Sequence, residues 1–131
     1  VIVVDSTDPI GPGKVLFTPE FYADCRNCLT EDGILVCQSG VTFMQDDEAR
    51  DTYGHLNKLF VDADFYITQV PTYGAGFMTF GWGANTPRAR ATPVEELEQR
   101  FKALGLRLGY YSPVVHRAAF ALPGYIEALK G

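Results

Sequence analysis

The chain is short of sulfur, of histidine and of positive charge, and each shortage removes a class of function. It has three cysteines and two histidines in 131 residues. Cys25 and Cys28 form a CxxC inside FYADCRNCL, whose spacing puts Phe21, Cys25, Cys28 and Leu29 on one face of an amphipathic helix. A thioredoxin-type CxxC opens a helix just after a strand, and a structural zinc site needs a second ligand pair, so packing is the expected role. Cys37 falls in the apolar stretch GILVC and reads as a small buried hydrophobe. His55 and His116 lie far apart without HExxH-like spacing, so no metal is assigned.

No apolar run is long enough to span a bilayer, and no basic stretch leads into a signal-type apolar segment; a cytoplasmic protein without membrane contact is the expectation. Eleven Lys and Arg stand against sixteen Asp and Glu, a net charge of -5. That balance argues against nucleic acid, which needs clustered cations, and tolerates polycationic ligands. Repeats, low-complexity tracts and linkers are absent, and 47% hydrophobic content supplies one core, so residues 1–131 are read as one unit.

What is present is concentrated at the start, in VIVVDSTDPIGPG. Four apolar residues without polar alternation resemble a strand covered on both faces, as in the parallel sheets of α/β proteins. Ligands of such sheets bind outside the carboxyl ends of the strands, where Asp5 and Asp8 fall, and two carboxylates favour a cationic ligand. Pro9 biases Asp8 toward extended backbone and stiffens the turn. Acidic residues at strand ends also cap loop amides, and the local pattern leaves both readings open.

Strand and helix signals alternate along the rest. Thr18 and Pro19 start a helix as N-cap and first helical residue, and GILVCQ is a strand after the Glu-Asp-Gly turn. Asp46 to Phe60 reads as a helix with an acidic first turn. Asp64 to Val70 reads as a strand, and Gly76 to Trp82 as its hairpin partner across the turn Pro71 to Ala75. Thr92, Pro93 and Glu95 suggest a capping box for a helix with Val94, Leu97, Phe101 and Leu104 inward. From Tyr110 to Gly131, a short helix and a terminal helix are separated by Pro123.

DSTDPIGPG resembles the DSSDPxGPA signature of spermidine synthases, the polyamine aminopropyltransferases. LFTPEFY at 16 to 22, EDGILVCQSG at 31 to 40, VPTYGAGFMTFGWG at 70 to 83 and YYSPVVHRAAFALP at 110 to 123 resemble further segments of that family, in the same order. The resemblance implies the second half of a Rossmann-like, class I methyltransferase-like α/β sheet with flanking helices. The family's GGGDG turn, which holds the cosubstrate nucleoside with a following acidic residue, has no counterpart here, so the chain is expected to be the C-terminal catalytic half of such an enzyme. A strand without neighbours on one side points the same way.

The same resemblance implies aminopropyl transfer from decarboxylated S-adenosylmethionine to putrescine, with no other cofactor. It makes Asp5 the proton acceptor, and Asp5, Ser6, Thr7, Asp8, Gln38 and Tyr73 the polyamine-binding set. Pro12, Gly13 and Leu16 match the loop that packs on the adenine and thioether of methylthioadenosine, with Gly13 where alanine is frequent and therefore expected to loosen the loop. Residues Ser6 to Pro12 match a gatekeeping loop, and the His116–Arg117 pair is expected to anchor the C-terminal helices. A homodimer or homotetramer is implied. A putrescine N-methyltransferase, or a catalytically dead relative acting as a binding or regulatory subunit, shares most of these features.

Overall fold

The computed structural model describes residues 1–74 and 76–131. Its strands are β1 (Ile2–Val4), β2 (Ile34–Val41), β3 (Asp62–Thr68) and β4 (Met78–Ala84), in one sheet of order β1-β2-β4-β3. β1 and β2 are parallel, with Val3 opposite Val36, whereas β4 runs antiparallel to both β2 and β3. It follows that β1, β2 and β3 all end at the same edge. The α/β architecture is as the residue pattern predicts, and the β3–β4 hairpin forms two residues out of the expected frame at each end. β4 inserts between its hairpin partner and β2. Ala75, the end of the expected turn, lies outside the described residues.

Helix α1 (Pro19–Cys28) begins as expected, with the Thr18 hydroxyl accepting a hydrogen bond from the Phe21 amide at 3.3 Å and Pro19 following. It packs with α2 (Asp46–Leu59) on one face of the sheet, where Tyr22, Cys25, Leu35, Cys37, Leu56 and Phe60 form a buried cluster. A second cluster joins Ala49 of α2, Phe65 and Ile67 of β3, and Ile126 and Leu129 near the C-terminus. The close approach of α2 to β4 requires glycine. A Cβ at Gly81 would stand 2.8 Å from Leu56 Cδ1, and one at Gly83 would stand 2.7 Å from Phe60 Cδ2.

The expectations fail where they assume more cover than exists. Within residues 1–131, β1 is an edge strand with Val3 69% exposed, so this stretch of chain supplies cover for one face of its apolar run. Cys25 and Cys37 are buried, but Cys28 is exposed, because α1 turns it past the contact with the sheet. α3 (Val94–Leu104) has no capping box: Pro93 is the N-cap, and the Thr92 hydroxyl instead donates to the Arg88 carbonyl at 3.1 Å. Its inward row is short as well. Val94, Leu97 and Phe101 are half-buried, while Leu104, beside the left-handed Gly105, is 66% exposed.

The last segment folds as α4 (Pro113–Ala118) and α5 (Gly124–Glu127), with Pro123 as the N-cap of the second. α4 brings His116 against Tyr111 and Phe120, and Phe120 stands edge-on to Trp82 of β4. Arg117 Nη1 donates to the Arg90 carbonyl at 3.0 Å. His116 thus packs the C-terminal segment toward the sheet through Phe120, and Arg117 ties it to the turn after β4. Burial first, and Arg117 second, push the His116 imidazole below its ordinary value of 6.5. The unfolded chain therefore takes up this proton first as pH falls, so stability is full above pH 6.5 and declines below it. The drop in unfolding temperature between pH 7.5 and 5.5 should be smaller in His116→Phe than in the parent; equal drops would show that His116 does not contribute to it.

Candidate functional site

The parallel strands carry their following residues to one edge of the sheet. Val4, the last residue of β1, pairs with Cys37, so Asp5, which leaves β1, comes beside Gln38, which lies within β2. After Asp5 the chain passes Ser6 and Thr7 and turns sharply at Pro9, where the Ile10 amide donates to the Asp8 carbonyl at 2.7 Å. It then forms a 3-10 helix, Gly11–Phe17, which contains Pro12, Gly13 and Leu16. At the same edge, the segment between β3 and β4 carries Tyr73, whose amide donates to the Val70 carbonyl at 2.9 Å.

A cavity of about 620 Å³ opens there, and Asp8, Gln38, Gln45, Thr72 and Tyr73 line it together with the apolar Val41, Met44 and Met78. Three of the anticipated residues, Asp8, Gln38 and Tyr73, are thereby brought together from three separate loops or strands. Asp5, Ser6 and Thr7 sit on the loop after β1 outside that lining, and Pro12, Gly13 and Leu16 lie further along the 3-10 helix. Gly13 is packed tightly: a Cβ there would meet Thr7 Oγ1 at 2.9 Å and the Asp8 carbonyl at 3.2 Å. An alanine would push on the loop that holds Asp8, the reverse of the loosening expected from glycine at this position.

Neither carboxylate caps a loop amide among the described residues. Asp5 is exposed and makes no side-chain hydrogen bond there, and Asp8 Oδ1 accepts from a side chain, Gln45 Nε2, at 3.1 Å. The structural-cap alternative for the two acids therefore has no support in the hydrogen bonding. The cavity is also acidic. Glu48, in the first turn of α2, has its carboxyl raised above the ordinary value, by burial first and by the nearby Asp8 charge second. Asp8 is the one charged side chain in the lining and no basic side chain lines the cavity among the described residues, so its charge favours a cationic ligand.

Gln45 and Glu48 escape sequence reading, since a glutamine before an acidic helical turn carries no motif. The nearest signal was the preceding glycine-containing segment of β2. Pairing between β2 and β4 is irregular from Gln38 to Val41, and Gly40 has φ +75°. The displaced backbone groups are satisfied by side chains: Thr79 Oγ1 donates to the Ser39 and Gly40 carbonyls at 3.1 and 2.8 Å, and the Gly81 amide donates to Ser39 Oγ at 3.0 Å. Buried Ser39 and Thr79 thus stabilise the bend that aims the end of β2 into the cavity.

A larger cavity, about 760 Å³, lies between Arg90 and α4. Its cationic groups are already engaged, Arg90 with Asp62 and Asp64, and Arg117 with the Arg90 carbonyl. The cavity at the strand ends is therefore the better candidate, although it is the smaller. Among the described residues, no group of three His, Cys, Asp or Glu is gathered that could hold a metal ion, and no helix is long and apolar enough to cross a membrane.

Residues 1–92 match the family described as spermine/spermidine synthase domain. Over 129 residues the chain is 54% identical to a polyamine aminopropyltransferase of Ruegeria sp. (strain TM1040), covering 98% of this chain and 45% of the relative. It is 52% identical over 126 residues to one from Pseudomonas syringae pv. tomato, covering 96% and 44%. A crystal structure of spermidine synthase in complex with the transition state analogue AdoDATO superposes with a TM-score of 0.85 at 29% identity, over 98% of this chain and 44% of that one. The spermidine synthase of Thermotoga maritima gives 0.79 at 26% identity, over 92% and 40%. The chain thus spans less than half the length of the relatives it matches.

Proposed function

Because this chain belongs to the spermine/spermidine synthase family, we propose that it forms the amine-binding part of an aminopropyltransferase that converts putrescine and decarboxylated S-adenosylmethionine to spermidine and methylthioadenosine. The observation that carries this reading is the convergence of Asp8, Gln38 and Tyr73 on one acidic cavity at the strand ends, next to Asp5. An acidic cavity with amide and phenol groups suits a flexible cation that carries an amine at each end.

The reaction is a displacement. The lone pair of a neutral amine attacks the methylene carbon beside the sulfonium; the carbon–sulfur bond breaks, and its electron pair neutralises the sulfur as thioether. The attacking nitrogen becomes a secondary ammonium and must lose a proton. An alkyl amine resembles lysine, with a pKa of about 10, so near neutral pH only about one molecule in a thousand starts unprotonated. We assign that proton to Asp5, an exposed carboxylate beside Gln38, help worth roughly 100- to 10000-fold. Asp8 and Tyr73 anchor the amine, Gln38 offers an amide beside it, and Ser6 and Thr7 belong to the loop that would fold over it. Pro12, Gly13 and Leu16 would meet the nucleoside. The catalytic unit is a homodimer or homotetramer of the complete chain.

The complete enzyme, given putrescine with either decarboxylated S-adenosylmethionine or S-adenosylmethionine itself, should form spermidine from the first and no methylated diamine from the second. N-methylputrescine would make it a methyltransferase. Binding without either product would make it a non-catalytic relative.

A further inference from the structure

Gln45 is held at both ends. Its Oε1 accepts a hydrogen bond from the Val41 amide at 3.0 Å, which fixes which end of the side-chain amide is oxygen. Nε2 then points the other way, donating to Asp8 Oδ1 at 3.1 Å and to Glu48 Oε2 at 3.4 Å. The arrangement depends on glycine at position 40, where a Cβ would stand 2.8 Å from Gln45 Oε1 and where φ is +75°. The side chain therefore spans from the bend at the end of β2 to the loop after β1, where Asp8 is 37 residues from Gln45 in the chain. Asp8 is an exposed carboxylate on a loop, Gln45 is its one side-chain partner among the described residues, and the Glu48 charge stands near it.

We infer that Gln45 is a positioning residue that holds the Asp8 carboxylate in the cavity, and so sets affinity for the cationic amine without touching the reacting atoms. The inference rests on the aminopropyl-transfer reading above. A ground-state anchor held in place lowers KM and leaves the chemical step alone. Of the bonds lost when the amide is removed, one holds Asp8, and losing a hydrogen bond to that charged group corresponds to roughly tenfold in affinity.

The test uses the complete enzyme. In Gln45→Met, KM for putrescine should rise about tenfold with kcat within about threefold, and the affinity of putrescine for the enzyme saturated with methylthioadenosine, measured by calorimetry, should fall in parallel. In an Asp8→Asn background the same change should alter KM less than about twofold, because the carboxylate being positioned is gone. A purely structural role at the β2 bend would give equal effects in both backgrounds and would overturn the inference, as would an unchanged KM in the parent background. Should Gln45→Met fail to fold, Gln45→Asn keeps the amide but is one carbon too short to reach both ends, and the same pair of outcomes decides. A parent enzyme that neither bound putrescine nor made spermidine would instead remove the functional reading.

Discussion

Asn in place of Asp5 should lower kcat of the complete enzyme at least about 100-fold while leaving the unfolding temperature unchanged, the lower bound of what acid/base assistance contributes. The two side chains have the same shape, so the change removes a negative charge and a proton acceptor and little else. Asp5 is exposed and makes no side-chain hydrogen bond among the described residues, so no structural partner is lost. The effect should fall on kcat and kcat/KM together, since the proton leaves only as the new bond forms. Steady-state kinetics with putrescine and decarboxylated S-adenosylmethionine, with thermal unfolding of both proteins, measure it. Turnover within about threefold of the parent would take Asp5 out of the chemistry, and a fall in unfolding temperature of several degrees would make it a loop residue instead.

Elements defined by local chemistry were legible in the sequence. Thr18–Pro19 starts α1 because the hydroxyl and the missing N–H each answer an unpaired backbone group, and that requirement is the same in any protein. Burial was harder to read. An unbroken Val-Ile-Val-Val run says that the residues favour a sheet and an apolar neighbour, but whether a neighbour lies on both faces depends on segments elsewhere, and Val3 is exposed in this chain. The capping box at Thr92 failed for a related reason. Its hydroxyl had a competing acceptor in the Arg88 carbonyl, supplied by the preceding turn, which no helix-start rule takes into account.

The site divides along the same line. Asp5 was legible because ligands of a parallel sheet bind where its strands end; Gln38 was implied by the family resemblance, and the register of β1 and β2 sets it beside Asp5. Gln45 was not, because its role comes from a bend in β2 that only the Gly40 backbone permits, and from Asp8, which is distant in sequence. Tyr73 stands between these cases. Family motifs suggested it, and its exposed side chain at the cavity rim, beside Thr72 and Gly74, gives the geometry by which it would reach a ligand.

Far from that cavity, Arg90→Met should lower the unfolding temperature of the complete protein by roughly 5–10 °C, as follows from a loss of about 2–3 kcal/mol. Asp62 and Asp64 alternate along β3 and so share a face; they are 5% and 8% exposed. Arg90 binds both, with Nε donating to each Asp62 oxygen at 3.0 Å and Nη1 to Asp64 Oδ2 at 2.5 Å. Asp62 is otherwise held by Trp82 Nε1 at 3.2 Å, and Asp64 by Lys130 Nζ at 2.8 Å. Removing the guanidinium leaves a buried carboxylate with a neutral donor alone, and the cost is less than that of a fully buried pair because the Arg90 side chain is 32% exposed. Arg90→Lys should fall between the two, since a point charge cannot reproduce the fork that spans both acids. In Asp62→Asn/Arg90→Met the orphaned charge is gone and Trp82 keeps an acceptor, so the double variant should unfold above Arg90→Met alone. Asp62 lies six residues before the end of β3, about 20 Å from the strand ends that carry the cavity, so kcat and KM below the transition should match the parent. An Arg90→Met protein within about 2 °C of the parent, or a double variant less stable than the single, would show that the two aspartates do not depend on this arginine.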